Sequence, residues 1–174
     1  EIQINSVGDK ECRPQYIKVL KTYYQSHKKD LCKVCQTRLL KNTLRLLDCK
    51  NKTCQELSDQ APQIVDHLSE NCKEHFMMVL EYLDEMDIAY NLNHKIVRGL
   101  DYYTRTAWEV VTTGEEGKLH AIGGGGRYDE LVEILGGRST PGVGFAMGIE
   151  RILLKVQEAK INLNKTKDYD VYVA

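Results

Sequence analysis

From Arg98 to Glu109 the chain reads Arg-Gly-Leu-Asp-Tyr-Tyr-Thr-Arg-Thr-Ala-Trp-Glu, which sets two adjacent phenols among two cations and two carboxylates. So many hydrogen-bonding groups are costly to bury without partners, and their density points to a pocket for a polar ligand. A second stretch is Gly123-Gly124-Gly125-Gly126-Arg127-Tyr128-Asp129. It reads as a Gly-rich turn between a strand and a helix, where backbone without Cβ atoms can approach a bound ligand. A third is Gly142-Val143-Gly144-Phe145-Ala146-Met147-Gly148-Ile149-Glu150-Arg151. Spaced glycines on a strand leave a flat surface for a planar ring, and Arg151 at the start of the next helix can reach triphosphate oxygens. Each stretch alone has a plainer reading as strand edge, hairpin or core strand, but together they describe a site.

The cysteines form a separate pattern. Cys32-x-x-Cys35 and Cys49-x-x-x-x-Cys54 are two short loops separated by 13 residues. Four thiolates so spaced can close a tetrahedral zinc site, and the alternative is buried or surface thiols in a reducing compartment. Cys12 and Cys72 have no sequence neighbour and read as packing residues. His27, His67, His75, His94 and His120 are scattered and read as ordinary surface or core histidines.

The elements that must position these groups follow from periodicity. Ile2, Ile4 and Val7 alternate as a strand, and Tyr16, Val19, Leu20, Tyr23 and Tyr24 sit at helical spacing over residues 13 to 29. Residues 30 to 57 read as short elements around a compact knot. Ser58 is expected to open a helix with Pro62 in its first turn, and a further helix carries Phe76, Val79, Leu80 and Leu83 on one face to about Met86. From residue 87 the texture changes: strands are expected over Ile88–Val97, Ala107–Thr112 and Lys118–Ile122, and a short helix over Tyr128–Leu135. A strand from Val143 to Gly148 then feeds a helix from Ile149 to Lys160. The chain begins at Glu1 inside one apolar alternation and stops inside another, Tyr169 to Val173, so both ends are expected to continue into a longer polypeptide.

The 174 residues carry a net charge of −1, which by itself suggests no polyanionic partner. The charges are segregated, however. Residues 10 to 52 hold twelve Lys or Arg against three acids, and residues 53 to 93 hold one base against nine acids. Such a cluster can supply phosphate contacts, or can simply be a solvated helix face. No apolar run approaches the roughly 20 residues that cross a bilayer, and no basic-then-apolar signal opens the chain, so a cytoplasmic protein with no membrane partner is expected.

Arg98-Gly-Leu-Asp-Tyr-Tyr103, then Gly-Gly-Arg-Tyr-Asp129, then the glycine-spaced strand ending at Arg151 stand in the order found in histidyl-tRNA synthetases of bacterial type, and the chain resembles that family. The third stretch resembles motif 3 of class II aminoacyl-tRNA synthetases. Ile4-Asn-Ser-Val-Gly-Asp9 and Leu44-Arg-Leu-Leu-Asp-Cys-Lys50 extend the likeness backward.

The resemblance implies an α+β fold: part of the class II antiparallel sheet with flanking helices, plus a mostly helical inserted domain. The implied division is 1–9, the end of a catalytic strand; 10–86, the insertion; 87–160, catalytic core; and 161–174, a linker opening an anticodon-binding domain. It implies ATP-dependent formation of histidyl-adenylate and transfer to tRNA-His, with L-histidine, ATP, magnesium and tRNA-His as partners and a homodimer as the full-length assembly. It casts Arg98 as the catalytic cation between α-phosphate and histidine carboxylate. Tyr102, Tyr103, Gly123, Gly124 and Gly125 become histidine-binding residues, and Arg151, Gly148 and Gly144 become ATP-binding residues. The basic region around Arg38, Lys41 and Arg45 is the expected tRNA surface, and no magnesium ligand can be singled out. Motifs 1 and 2 of the family do not occur in the chain, so the isolated chain is expected not to catalyse adenylation. Two rivals belong beside this: a synthetase-like regulatory subunit of ATP phosphoribosyltransferase, and a module that binds a tRNA acceptor stem without catalysis.

Overall fold

A computed structural model describes residues 1–97, 102–113 and 119–161. Among the described residues five strands form one sheet in the order β2-β1-β3-β4-β5. They are β1 (Ile2–Gly8), β2 (Tyr90–Leu92), β3 (Thr104–Thr113), β4 (Leu119–Arg127) and β5 (Val143–Met147). All pairs are antiparallel except β1 with β2, which is parallel. Between β1 and β2 lie α1 (Arg13–Ser26), α2 (Lys33–Lys41), α3 (Lys52–Asp59) and α4 (Glu70–Glu85), with 3-10 turns at Thr43–Leu46 and Ile64–His67. The short α5 (Leu131–Ile134) precedes β5, and α6 (Ile149–Glu158) follows it.

The first three helices and the two 3-10 turns close around their own core of Tyr16, Leu20, Tyr24, Leu31, Leu39, Leu46, Leu47 and Ile64. Tyrosines can be used there because each phenol meets a partner: Tyr16 donates to the Pro62 carbonyl (3.0 Å), Tyr23 to that of Leu57 (2.9 Å), and Tyr24 bonds the Ser58 hydroxyl (2.9 Å). Burial pushes the Tyr24 phenol up to about 12, so it stays protonated. The fourth helix, α4, instead packs on β1 and β3. Its N-cap is Ser69, whose hydroxyl accepts from the Cys72 N–H at 3.3 Å.

Several expectations change in the structure. Ser58 does not open a helix; it sits in the last turn of α3, and Pro62 lies beyond that helix in a connecting segment. The alternative use of Ser58, bonding to Tyr24 and to the Cys54 carbonyl, is what favours a buried position inside the turn. The strand expected over residues 88 to 97 is only Tyr90–Leu92. Asn93 ends it, because its side-chain oxygen accepts from the Lys95 N–H (3.0 Å) and its carbonyl from the Ile96 N–H (3.0 Å), which turns the chain. The four-glycine run is not a turn after a strand. It is the second half of β4, paired on one side with Ala107–Val110 and on the other with Gly144–Met147. Close approach of neighbouring strands explains the glycines: a Cβ on Gly125 would lie 2.2 Å from the Gly144 carbonyl oxygen.

Candidate functional site

The register gives the sheet two chemically different faces. One carries Ile4 and Trp108, and beneath it Val79 and Leu83 of α4 help enclose an apolar cavity of about 500 Å³. The other pairs Gln3 with Glu109 and Asn5 with Ala107. On this polar face Ala107, Gly126 and Gly144 run side by side across three strands, leaving a floor almost without side chains.

Three tyrosines stand on that floor. The rings of Tyr102 and Tyr103 lie 4.7 Å apart, and Tyr128 meets them edge-on at 5.8 and 6.2 Å. Tyr103 is buried, with Val7, Ile96 and Ala107 as its core partners, while Tyr102 and Tyr128 are half-buried. The floor must be bare for them to fit. A Cβ on Gly126 would come within 2.9 Å of the Tyr103 ring, and one on Gly144 within 2.3 Å of the Tyr128 phenol oxygen. Gly144 thus seats Tyr128. Alternation turns the Cα–H vectors of Gly123 and Gly125 toward the opposite face, against Met147 and Phe145, so of the three glycines expected in the pocket only Gly124 shares the tyrosine face.

Neighbouring residues hold this arrangement. The Arg13 guanidinium donates to the carbonyls of Val7 (2.9 Å), Gly8 (2.9 Å) and Tyr103, which ties the end of β1 to the tyrosine segment. Asn5 donates to the Ile96 carbonyl at 3.1 Å. Within the Arg-Tyr-Asp motif, Arg127 and Asp129 serve structure: they pair at 2.7 Å, Arg127 reaches His75 of α4 at 2.8 Å, and Asp129 accepts from the Gly142 N–H at 3.3 Å. Burial, with Arg127 and Arg105 close by, holds the His75 imidazole below its ordinary value. Tyr128, between the two, is freed by this latch to face the site.

Arg151 is exposed in the first turn of α6, and its Nη1 donates to the Ala121 carbonyl on β4 at 2.5 Å. Gly148 caps that helix, and its N–H donates to the Ile122 carbonyl at 2.8 Å. Ala121 also lines a groove of about 760 Å³ on the polar face, between the sheet residues Gln3, Glu109 and His120 and the helical-module residues Asp48, Lys50 and Gln55. Arg151 is therefore bonded to a residue that lines a polar groove beneath the helical module. Arg98, the expected catalytic cation, lies outside the described residues, as does the stretch from Tyr169 to Val173.

The sequence profile of the family described as Histidyl-tRNA synthetase matches residues 11–152. The chain belongs to the histidyl-tRNA synthetase family. Histidine–tRNA ligase of Halothermothrix orenii is 49% identical over 173 residues, covering 99% of this chain and 41% of that protein. The ligase of Desulforamulus reducens is 47% identical over 174 residues, covering 100% and 41%. The crystal structure of apo S. aureus histidyl-tRNA synthetase superposes with a TM-score of 0.70 at 37% identity, over 94% of this chain and 40% of that one. The chain thus spans about two fifths of the length of the curated histidyl-tRNA synthetase relatives it matches.

The basic residues are less available than their count suggests. Arg38 donates to the Arg45 carbonyl at 3.1 Å, and Asp48 sits between Lys50 (3.2 Å) and Arg45 (3.9 Å), while Lys41 is exposed. The cysteines do converge. The sulfurs of Cys32, Cys35, Cys49 and Cys54 all lie within 4.8 Å of one another. A backbone N–H of Cys35 and thiol neighbours hold Cys32 down to about 7, whereas burial pushes Cys35 and Cys54 up. Cys12 and Cys72, expected to be packing residues, are buried, and both also bond Asp9, at 3.4 and 2.9 Å.

Sequence reasoning did not include Tyr128 or Glu109 among the site residues. Tyr128 had a signal, since it stands inside the Gly-Arg-Tyr-Asp stretch. Glu109 had none beyond lying one residue past Trp108 in a strand whose alternation sends it to the polar face.

Proposed function

We propose that the chain supplies the amino-acid pocket and part of the ATP site of a histidine–tRNA ligase, the activity after which its relatives are named. The observation that carries this reading is the meeting of Tyr102, Tyr103 and Tyr128, from two separate motifs, on one glycine-floored face, with Arg151 bonded to Ala121 on the strand that supplies the floor glycines. In this proposal the phenols of the cluster read the histidine side chain and amino group by hydrogen bonding. A wrong amino acid is rejected because it leaves those polar groups unpaired once the pocket closes them off from water. Arg98 draws the histidine carboxylate and the α-phosphate together. The carboxylate oxygen attacks the α-phosphorus, the bond to the bridging oxygen breaks, and pyrophosphate leaves with the charge that Arg151 helps to neutralise. Gly124 and Gly148 let backbone approach the substrates. In the second step the terminal ribose hydroxyl of tRNA-His attacks the histidyl carbonyl, and AMP departs.

Magnesium accompanies ATP as its counter-ion, and Glu109, a carboxylate on the groove wall, is of the type that fits it. Lys41 and its basic neighbours face the tRNA, the protein works as a homodimer, and it resides in the cytoplasm. The named ligases at 47–49% identity favour this over a regulatory subunit of ATP phosphoribosyltransferase.

The test is a chimera in which these 174 residues replace the matching segment of the S. aureus enzyme. Histidine-dependent ATP–pyrophosphate exchange is expected, and Arg151→Ala in the chimera should lower it about 10²-fold or more, as loss of a charge-stabilising donor does. A folded chimera without exchange, or an Arg151→Ala chimera at full rate, refutes the assignment.

A further inference from the structure

We propose that Cys32, Cys35, Cys49 and Cys54 form a structural tetrathiolate site for zinc that fixes the groove-facing wall of the helical module. The four sulfurs come from three places: Cys32 and Cys35 from the start of α2, Cys49 from the turn after Thr43–Leu46, and Cys54 from the first turn of α3. All lie within 4.8 Å of one another, and those of Cys32 and Cys49 are 3.9 Å apart. Zinc bonded to four sulfurs at about 2.3 Å separates each pair by about 3.8 Å, so the cluster needs to contract by about 1 Å at most. A disulfide needs sulfurs at about 2.05 Å, and no pair among the described cysteines is so joined.

Three further features fit a metal rather than four thiols packed as small hydrophobes. The sulfurs point at one another instead of spreading through the core. Backbone N–H groups already point at them: Cys32 donates to the Cys54 sulfur at 3.3 Å and Asn51 to that of Cys49 at 3.5 Å, as outer partners of a thiolate do. Cys35 and Cys54 are almost fully buried, Cys49 is 8% exposed and Cys32 is half-buried, and four thiolates fill a tetrahedral zinc with no place for a water ligand, which suits structure, not catalysis. Lys33, Lys50 and Lys52 flank the ligands in sequence and offset the double negative charge of a zinc tetrathiolate.

The site has a consequence for its surroundings. Cys49 lies between Asp48 and Lys50 on the wall of the groove that Ala121, the acceptor of the Arg151 bond, also lines. The same ion joins this wall to α2, which carries Arg38 and Lys41. Metal binding thus sets the wall of the cleft without touching the reacting atoms.

The experiment is metal analysis of the whole chain purified without chelator, with cobalt substitution as a second readout. About one zinc per chain is expected, and cobalt should give the visible bands and sulfur-to-metal charge transfer of a tetrahedral thiolate site. Cys32→Ser with Cys49→Ser should lose the metal, and where that variant does not fold, the cobalt spectrum of the parent still decides. Less than half an equivalent of zinc together with no thiolate–cobalt spectrum overturns the proposal. So does full zinc retained by the folded double variant. Neither measurement depends on histidine activation, so its failure is distinct from failure of the ligase reading.

Discussion

Replacing Gly125 by Ala separates a glycine run that bends from one that packs. The added Cβ would sit 2.2 Å from the Gly144 carbonyl oxygen, 2.7 Å from Phe145 Cβ and 2.8 Å from Phe145 Cα. Two of these atoms are backbone, so no rotation of a side chain relieves them, and β5 must move away from β4 by about 1 Å to restore ordinary contact. Overpacking usually costs about 1–3 kcal/mol, and a backbone clash in a paired strand belongs at the upper end, about 3 kcal/mol. For a domain of this size each kcal/mol lowers Tm by about 2–4 °C, so a fall of about 6–12 °C is expected in thermal unfolding followed by circular dichroism. Displacing β5 also withdraws Phe145 from Trp108, 5.9 Å away between ring centroids, and the single tryptophan should shift its emission to the red. Were the run a turn, Ala would be neutral or slightly stabilising. An unchanged Tm and emission maximum would refute the strand assignment and the reasoning built on it.

Other outcomes follow from the same geometry. Gly144→Ala meets only the end of the Tyr128 side chain at 2.3 Å, so stability should drop by less than about 1 kcal/mol in urea titration while affinity for histidine falls. Arg13→Ala removes donors to three carbonyls and should cost about 2–4 kcal/mol in the same assay, with Arg13→Lys restoring less than half because it lacks the planar fork. Since the folded His75 pKa lies below its unfolded value of 6.5, its contribution to stability is full above that pH and is lost as pH falls through the folded value. Denaturation compared at neutral and mildly acidic pH should show a shallower acid loss in His75→Gln. Ser69→Ala should lower stability by about 1 kcal/mol through loss of the α4 cap.

Much of the fold could be read from residue order. The alternation of Ile2, Ile4 and Val7 and the helical spacing of Tyr16, Leu20 and Tyr24 became β1 and α1, because each pattern is dictated by a single buried face. The glycine run misled because local preference for turns is overridden when a neighbouring strand needs the space, and that need is set by Gly144 and Phe145 about twenty residues on. Ser58 misled for a related reason: a serine before a polar run signals a helix start, but here its hydroxyl is taken by Tyr24 from a distant helix. In the candidate site, the motif singled out Tyr103, which joins the tyrosine cluster, whereas Arg13 carried no signal, since its bonds depend on carbonyls brought together only by the β1–β3 pairing. The convergence of the four cysteine sulfurs followed from spacing alone, as short loops leave them few other places to go.

The proposed histidine pocket is best tested by nuclear magnetic resonance on chain labelled in the tyrosine and tryptophan rings, titrated with L-histidine and with a non-reactive histidyl-adenylate mimic. Resonances of Tyr102, Tyr103 and Tyr128 should move with L-histidine and stay still with other amino acids, while Trp108 on the far face of the sheet is unaffected. Ring signals that ignore histidine, or a response confined to Trp108, would contradict a histidine site on the glycine floor.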